Sequence, residues 1–290
     1  MTMFTGLGVA LATPFTPDHA LDLPAFRRLV RHVARAADFL VVLGSTGEAA
    51  TLEEAERDAL ISACLNEAGG RPVVAGTGHN ATRTAARWTR RAADLGVQGA
   101  LVVTPYYNKP TPEGLVIHYR ACAEAGLPLV AYNVPGRTGL NLTPAALARL
   151  WEIPAVAAVK ESSGNLAQIG EIARTLPPGK VLLAGDDALA LPAFAVGAEG
   201  LVSVAGNLLP GLMKRLVDLG RAGRRGEALA LHHRLLPLLD ALFLESNPIP
   251  LKAALQAAGV GSDAVRPPLV PASVATRACL ARTQLADEVA

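Results

Sequence analysis

Lys160 closes an apolar run, Val156-Ala-Ala-Val-Lys160, and leads directly into Glu-Ser-Ser-Gly164. An ammonium at the end of a buried strand is costly to keep charged. Such a lysine finds a partner, extends its head into solvent, or sheds its proton. A neutral amine attacks a ketone and forms a Schiff base. The chain has five lysines. Lys109 lies in a Tyr-Tyr-Asn-Lys-Pro loop, Lys180 follows Pro-Pro-Gly, and Lys214 and Lys252 fall in helical patterns with charge or proline nearby. Only Lys160 has the strand-terminal setting.

Other residues suit the same chemistry. Gly44-Ser45-Thr46-Gly47 joins a strand to a helix with two hydroxyls and free backbone amides, which can hold a carboxylate; it also reads as a plain turn. Tyr132 ends the apolar run before that of Lys160. Its phenol can exchange protons with a reacting carbinolamine, or simply cap a core. Arg137, in Asn133-Val-Pro-Gly-Arg137-Thr-Gly139, can pair with a substrate carboxylate in bidentate fashion, or form a surface salt bridge. Gly76-Thr-Gly78 mimics a dinucleotide fingerprint, but the following strand ends in Thr104-Pro-Tyr-Tyr rather than an acid, which argues against nicotinamide.

The elements that must position these groups repeat as strand, loop, helix. Short apolar runs predict eight strands: Gly8–Thr13, Phe39–Leu43, Pro72–Ala75, Gly99–Thr104, Pro128–Asn133, Val156–Lys160, Lys180–Ala184 and Gly200–Val204. Phe26, Leu29, Val30 and Val33 form a helical stripe. Thr51-Leu-Glu-Glu54 has capping-box spacing, and Thr111-Pro112, Thr143-Pro144 and Asn165 open further helices. After Pro210 only helices are predicted, at Leu212–Leu219, Arg224–Phe243, Pro250–Ala258 and Pro271–Leu285. Eight strand-helix units predict an α/β fold, a closed (β/α)8 TIM barrel over residues 1–222, with an all-helical extension over 223–290. An open doubly wound sheet is the alternative. In a barrel the strand carboxyl ends form one mouth, where Ser45, Thr46, Tyr132, Lys160, Gly185-Asp-Asp187 and Val204-Ala-Gly-Asn207 would converge.

Composition narrows the class. The formal net charge of +2 is spread without a basic stripe, which excludes nucleic acid as a natural partner. Three scattered cysteines read as core thiols, and six histidines make no metal pattern. No run is long enough to span a membrane, and the amino terminus lacks a basic, cleavable leader, so a cytoplasmic location is expected.

Gly44-Ser-Thr-Gly-Glu48, Thr104-Pro-Tyr-Tyr-Asn108, Tyr132-Asn-Val-Pro-Gly-Arg-Thr-Gly139, Lys160-Glu161, Gly185-Asp-Asp187 and Glu245-Ser-Asn-Pro-Ile-Pro250 together resemble the dihydrodipicolinate synthase family. The resemblance covers essentially the whole chain. The lysine, the glycine-hydroxyl turn and the tyrosine are shared with the wider pyruvate-dependent class I aldolases, whereas Asn-Val-Pro-x-Arg-Thr is much more specific to the synthase branch. The resemblance implies that Lys160 forms the Schiff base with pyruvate. It makes Tyr132, Ser45 and Tyr107 a hydroxyl relay, Tyr107 entering from the neighbouring subunit of a tight dimer, with Tyr106 packed at that interface. Thr46 would hold the pyruvate carboxylate, Gly185 and Val202 would line the site by backbone, and Arg137 would receive the carboxylate of L-aspartate 4-semialdehyde. The product would be 4-hydroxy-tetrahydrodipicolinate, for lysine and diaminopimelate biosynthesis, made without metal or organic cofactor by a homotetrameric dimer of dimers.

Two departures matter. Ser45 stands where the family more often has threonine, which frees its rotamer. At positions that contact inhibitory lysine in regulated members, this chain has Glu54, Arg57 and Thr84, with Asn80 retained; weak or absent inhibition is expected. Two other readings compete: a sibling aldolase acting on a 2-keto-3-deoxy sugar acid or N-acetylneuraminate, and a catalytically silent barrel that senses a keto acid.

Overall fold

The computed structural model describes residues 3–283. Strand β1 (Gly6–Ala10) is followed by helix α1 (Leu23–Ala34), β2 (Phe39–Val42), α2 (Glu54–Glu67), β3 (Val73–Gly76), α3 (Thr82–Asp94), β4 (Gly99–Val103) and α4 (Pro112–Ala123). Then come β5 (Leu129–Asn133), the short α5 (Pro135–Thr138), α6 (Pro144–Trp151), β6 (Val156–Glu161), α7 (Leu166–Arg174), β7 (Val181–Ala184), α8 (Ala190–Ala195) and β8 (Gly200–Ser203). Helices α9 (Pro210–Arg221), α10 (Arg225–Ala241), α11 (Ile249–Ala257) and α12 (Val274–Ala281) complete the described chain.

The eight strands are parallel and hydrogen-bonded in sequence order, and β8 pairs back onto β1. The sheet is therefore a closed barrel, as the eight apolar runs predict, and not an open one. Alternation along each strand makes two cores. Phe39, Val41, Val74, Leu101, Val130, Ala158, Leu183 and Val202 fill the lumen. Their neighbours, such as Leu40, Val42, Val102, Ala131 and Val159, face the helices. Helix α1 buries its predicted stripe of Phe26, Leu29, Val30 and Val33.

Several boundaries differ from expectation for identifiable reasons. The first strand ends at Ala10 rather than Thr13, because beyond Leu11 the backbone turns to a side chain: the Ala12 N–H donates to Asn207 Oδ1 at 3.1 Å. Helix α2 is capped two residues later than the Thr51 spacing suggested. Glu53 is its N-cap, and Glu56 accepts the Glu53 N–H at 2.9 Å, while the Thr51 hydroxyl donates to the Glu48 carbonyl. Helix α12 starts after Ser273, whose side chain accepts the Thr276 N–H. The predicted end of that helix, at Leu285, lies outside the described residues. Cys64 and Cys122 are buried, and burial pushes their thiols up to about 12 and about 11; Cys279 is only partly covered.

Asn207 and Asp187, expected among the mouth residues, hold backbone instead. Asn207 Nδ2 donates to the Ala10 and Val204 carbonyls at 2.8 and 2.9 Å, joining β8 to the end of β1. Asp187 accepts the Val204 and Ala205 N–H groups. Asn207→Ala strips three bonds from fully buried backbone groups. It should cost about 2–4 kcal/mol and lower the thermal midpoint by about 5–10 °C in a circular dichroism melt.

Candidate active site

Strands β5 and β6 pair with Tyr132 opposite Lys160 and Asn133 opposite Glu161. Alternation sends the first pair into the lumen and the second toward the helices. The outward pair is structural: Asn133 Nδ2 donates to Glu161 Oε2 at 2.8 Å, Asn133 Oδ1 accepts the Leu142 N–H, and Glu161 Oε1 accepts the Ser163 N–H at 2.6 Å. These bonds pin both loops that leave the strands. The inward pair packs together in the lumen. Lys160 is only 6% exposed, and its Nζ lies 4.2 Å from the centroid of the Tyr132 ring.

Gly185 follows β7 beside this lysine. A Cβ there would come within 2.9 Å of Lys160 Cε and 1.9 Å of Ser162 Oγ, so glycine is what lets the lysine stem rise into the mouth. Ser162, two residues past Lys160 and so on the same face, carries a buried hydroxyl that no described residue satisfies. A serine in Ser162-Ser-Gly164 carries no such signal in the sequence. Val202 forms the lumen wall on β8, in register with Gly8 of β1.

The turn Ser45–Gly47 is a single 3₁₀ turn between β2 and α2. Ser45 lines a cavity of about 430 Å³ together with Tyr106, Tyr132, Val134, Arg137 and Asn247. Thr46 sits behind it, buried, with its Oγ1 accepting from Asn247 Nδ2 at 3.0 Å. Arg137, on α5, donates to the Asn247 carbonyl at 3.0 Å, and among the described residues no carboxylate pairs with it. Asn247 thus touches two of the predicted binding residues at once. It was missed as an individual residue, although it lies in a segment already singled out, Glu245 to Pro250.

Tyr107 does not join this cavity. Its side chain is 90% exposed and its backbone is left-handed, with φ of 72°. Tyr106 does join it, and its ring also meets His79 edge-on with centroids 6.1 Å apart. The false dinucleotide fingerprint has a packing cause: a Cβ on Gly76 would fall 1.9 Å from the Leu43 carbonyl oxygen, and one on Gly78 would fall 2.5 Å from Val103 N. Arg57 is buried at the cavity edge, donating to the Gly76 and Ala49 carbonyls and stacking 3.9 Å over Trp88. Burial lowers its guanidinium to about 10. Among the described residues no three acids, histidines or cysteines come together in a way that could hold a metal ion. No described helix is long and apolar enough to cross a membrane.

Ser45, Tyr132 and Arg137, the last paired with no carboxylate among the described residues, thus meet on one cavity, and the buried Lys160 lies against the Tyr132 ring. The dihydrodipicolinate synthetase family model matches residues 3–285. The chain belongs to that family. It is 47% identical to the 4-hydroxy-tetrahydrodipicolinate synthase of Methylococcus capsulatus over 270 residues, 92% of this chain and 93% of that one. The dihydrodipicolinate synthase structure from Thermotoga maritima superposes with a TM-score of 0.96 at 38% identity, covering 99% of this chain and all of that one. The family's structure from Cyanidioschyzon merolae, solved with lysine bound, gives a TM-score of 0.95 at 36% identity over the full length of both chains. Membership of the dihydrodipicolinate synthetase family accounts for the whole described chain, the helical extension included.

Proposed function

We propose that this chain condenses pyruvate with L-aspartate 4-semialdehyde through a Schiff base on Lys160, giving 4-hydroxy-tetrahydrodipicolinate. The observation that carries the reading is the buried Lys160 against the ring of Tyr132, which lines one cavity with Ser45 and Arg137. The Lys160 amine attacks C2 of pyruvate and the carbinolamine loses water to an imine. Loss of a C3 proton gives an enamine, whose carbon attacks the aldehyde, and the aldehyde oxygen becomes the 4-hydroxyl. The amine of the second substrate then displaces Lys160 from C2 and closes the ring. Tyr132, Ser45 and a Tyr107 contributed by a neighbouring subunit pass the protons. Thr46, with the backbone around Gly185 and Val202, holds the keto acid, and Arg137 takes the carboxylate of the semialdehyde.

The exposure of Tyr107 supports a dimer in which it enters a partner's site, within a homotetramer. A cytoplasmic location fits the same reading. We assign residues 1–222 to the catalytic barrel and 223–290 to the extension; the turn at Gly223, between α9 and α10, supports that division.

A coupled assay with both substrates tests the reaction, and turnover should require both. Cleavage of N-acetylneuraminate or a 2-keto-3-deoxy sugar acid in its place would establish the sibling aldolase, and pyruvate trapping without turnover would establish a sensor. Feedback by lysine should be weak. Glu54 is already engaged by Arg87 and Trp88, and Arg57 places a cation near where the lysine ammonium would sit. Half-inhibition is expected only above about 1 mM lysine; a steady-state titration showing it well below that value would refute the expectation.

A further inference from the structure

A second buried lysine stands outside the mechanism. Lys252, on α11, is 1% exposed. Its Nζ ion-pairs with Glu48, donates to the Ala264 carbonyl at 2.7 Å, and lies 4.1 Å from the centroid of the Phe15 ring. Glu48 is the residue that ends the Ser45–Gly47 turn. Its backbone is left-handed, with φ of 52°, and its N–H donates to the Ser45 carbonyl at 3.1 Å. A non-glycine residue keeps that conformation only when its surroundings hold it there. Here the hold comes from the far end of the chain: Lys252 on Glu48 Oε1, and the Arg266 N–H on Glu48 Oε2 at 3.0 Å. Arg266 itself is anchored by Glu56 and by the carbonyls of His19 and Thr51.

We propose that the Glu48–Lys252 ion pair is a positioning device, through which the helical extension holds the Ser45–Thr46–Gly47 turn in its keto-acid-binding shape. The inference rests on the reading of that turn as the carboxylate holder. Asn247 grips Thr46 from the same extension, so the turn is held at its middle and at its end. Stability alone is a poor explanation for the pair. Burial pulls the Lys252 amine down to about 8, against the opposing attraction of Glu48, so the charged form is expensive where it sits. Apolar residues of like volume commonly replace such pairs without loss of stability. What an apolar pair lacks is direction: it would leave the Glu48 side chain, and the turn behind it, without a fixed orientation.

The test is borohydride trapping of pyruvate on the full-length protein, read by mass across a range of pyruvate concentrations, beside steady-state kinetics with both substrates. Lys252→Met should need about tenfold more pyruvate for half-maximal trapping, with the semialdehyde KM changed less than about twofold. Should Lys252→Met fail to fold, the double variant Glu48→Gln/Lys252→Met leaves no charge buried and should show the same rise. Wild-type half-saturation in either folded variant would overturn the positioning role and leave the pair merely structural. A wild-type protein that traps no pyruvate would instead overturn the proposed reaction, and this inference with it.

Discussion

Lys160→Met should abolish turnover, with kcat reduced by about 10³-fold or more, while the protein remains folded. Methionine matches the lysine stem in length and is at home beside Tyr132 and Gly185, so the barrel keeps its packing. What disappears is the amine proposed to form the imine. Lys160→Arg should be equally inactive, because a guanidinium does not shed its proton and cannot act as the nucleophile. Borohydride with pyruvate should add its mass to the peptide containing residue 160 in wild type, and to no peptide in either variant. Lys252 is the internal control. It too is buried, and its amine is pulled down to about 8, so a preference set by amine basicity alone would label it as well. It is sealed against Glu48, Ala264 and Phe15 rather than opening on the cavity. Modification at residue 252 with residue 160 unmodified would overturn the assignment.

Arg137→Ala should raise the KM for aspartate semialdehyde by about 10²-fold and leave pyruvate trapping unchanged. Losing charge-assisted hydrogen bonds to a carboxylate costs about 1.5–3 kcal/mol. Within the protein Arg137 donates to the Asn247 carbonyl, a bond that turns its guanidinium rather than neutralising it. Arg137→Lys should recover little, since a point charge cannot reproduce two parallel bonds to a carboxylate. An unchanged semialdehyde KM in Arg137→Ala would favour a sibling aldolase, whose acceptor has no need of this residue.

The barrel was legible because each strand is a short apolar run covered on both faces, a pattern that a partly solvated sheet does not produce. Lys160 was legible for the same reason, as a charged residue closing such a run. Strand ends were less so. The first strand stops where Asn207, far along the chain, replaces the ladder with its amide, and no local pattern encodes that. The Thr51 capping signal failed because Thr-x-x-Glu and Glu-x-x-Glu overlap in Thr51–Glu56, and only packing chooses between them. Lys252 reads from the sequence as an ordinary helical lysine, since its burial comes from Phe15 and Glu48, both distant in sequence. Glu161 and Asp187 lie at strand ends as expected, yet alternation turns Glu161 outward and the bonds of Asp187 go to backbone amides.

The tether between the mouth and the extension also sets an order of events during synthesis. Thr46 must wait 201 residues for Asn247, and Glu48 must wait 218 residues for Arg266. At ribosomal speeds that interval is about 10–40 s. A nascent chain can therefore lay down its early strands well before the turn beside β2 receives the groups that hold it. Chains stopped short of residue 247 would carry Lys160 and Tyr132 but lack every grip on that turn from the extension. The catalytic mouth is finished last, when almost the whole described chain has been made.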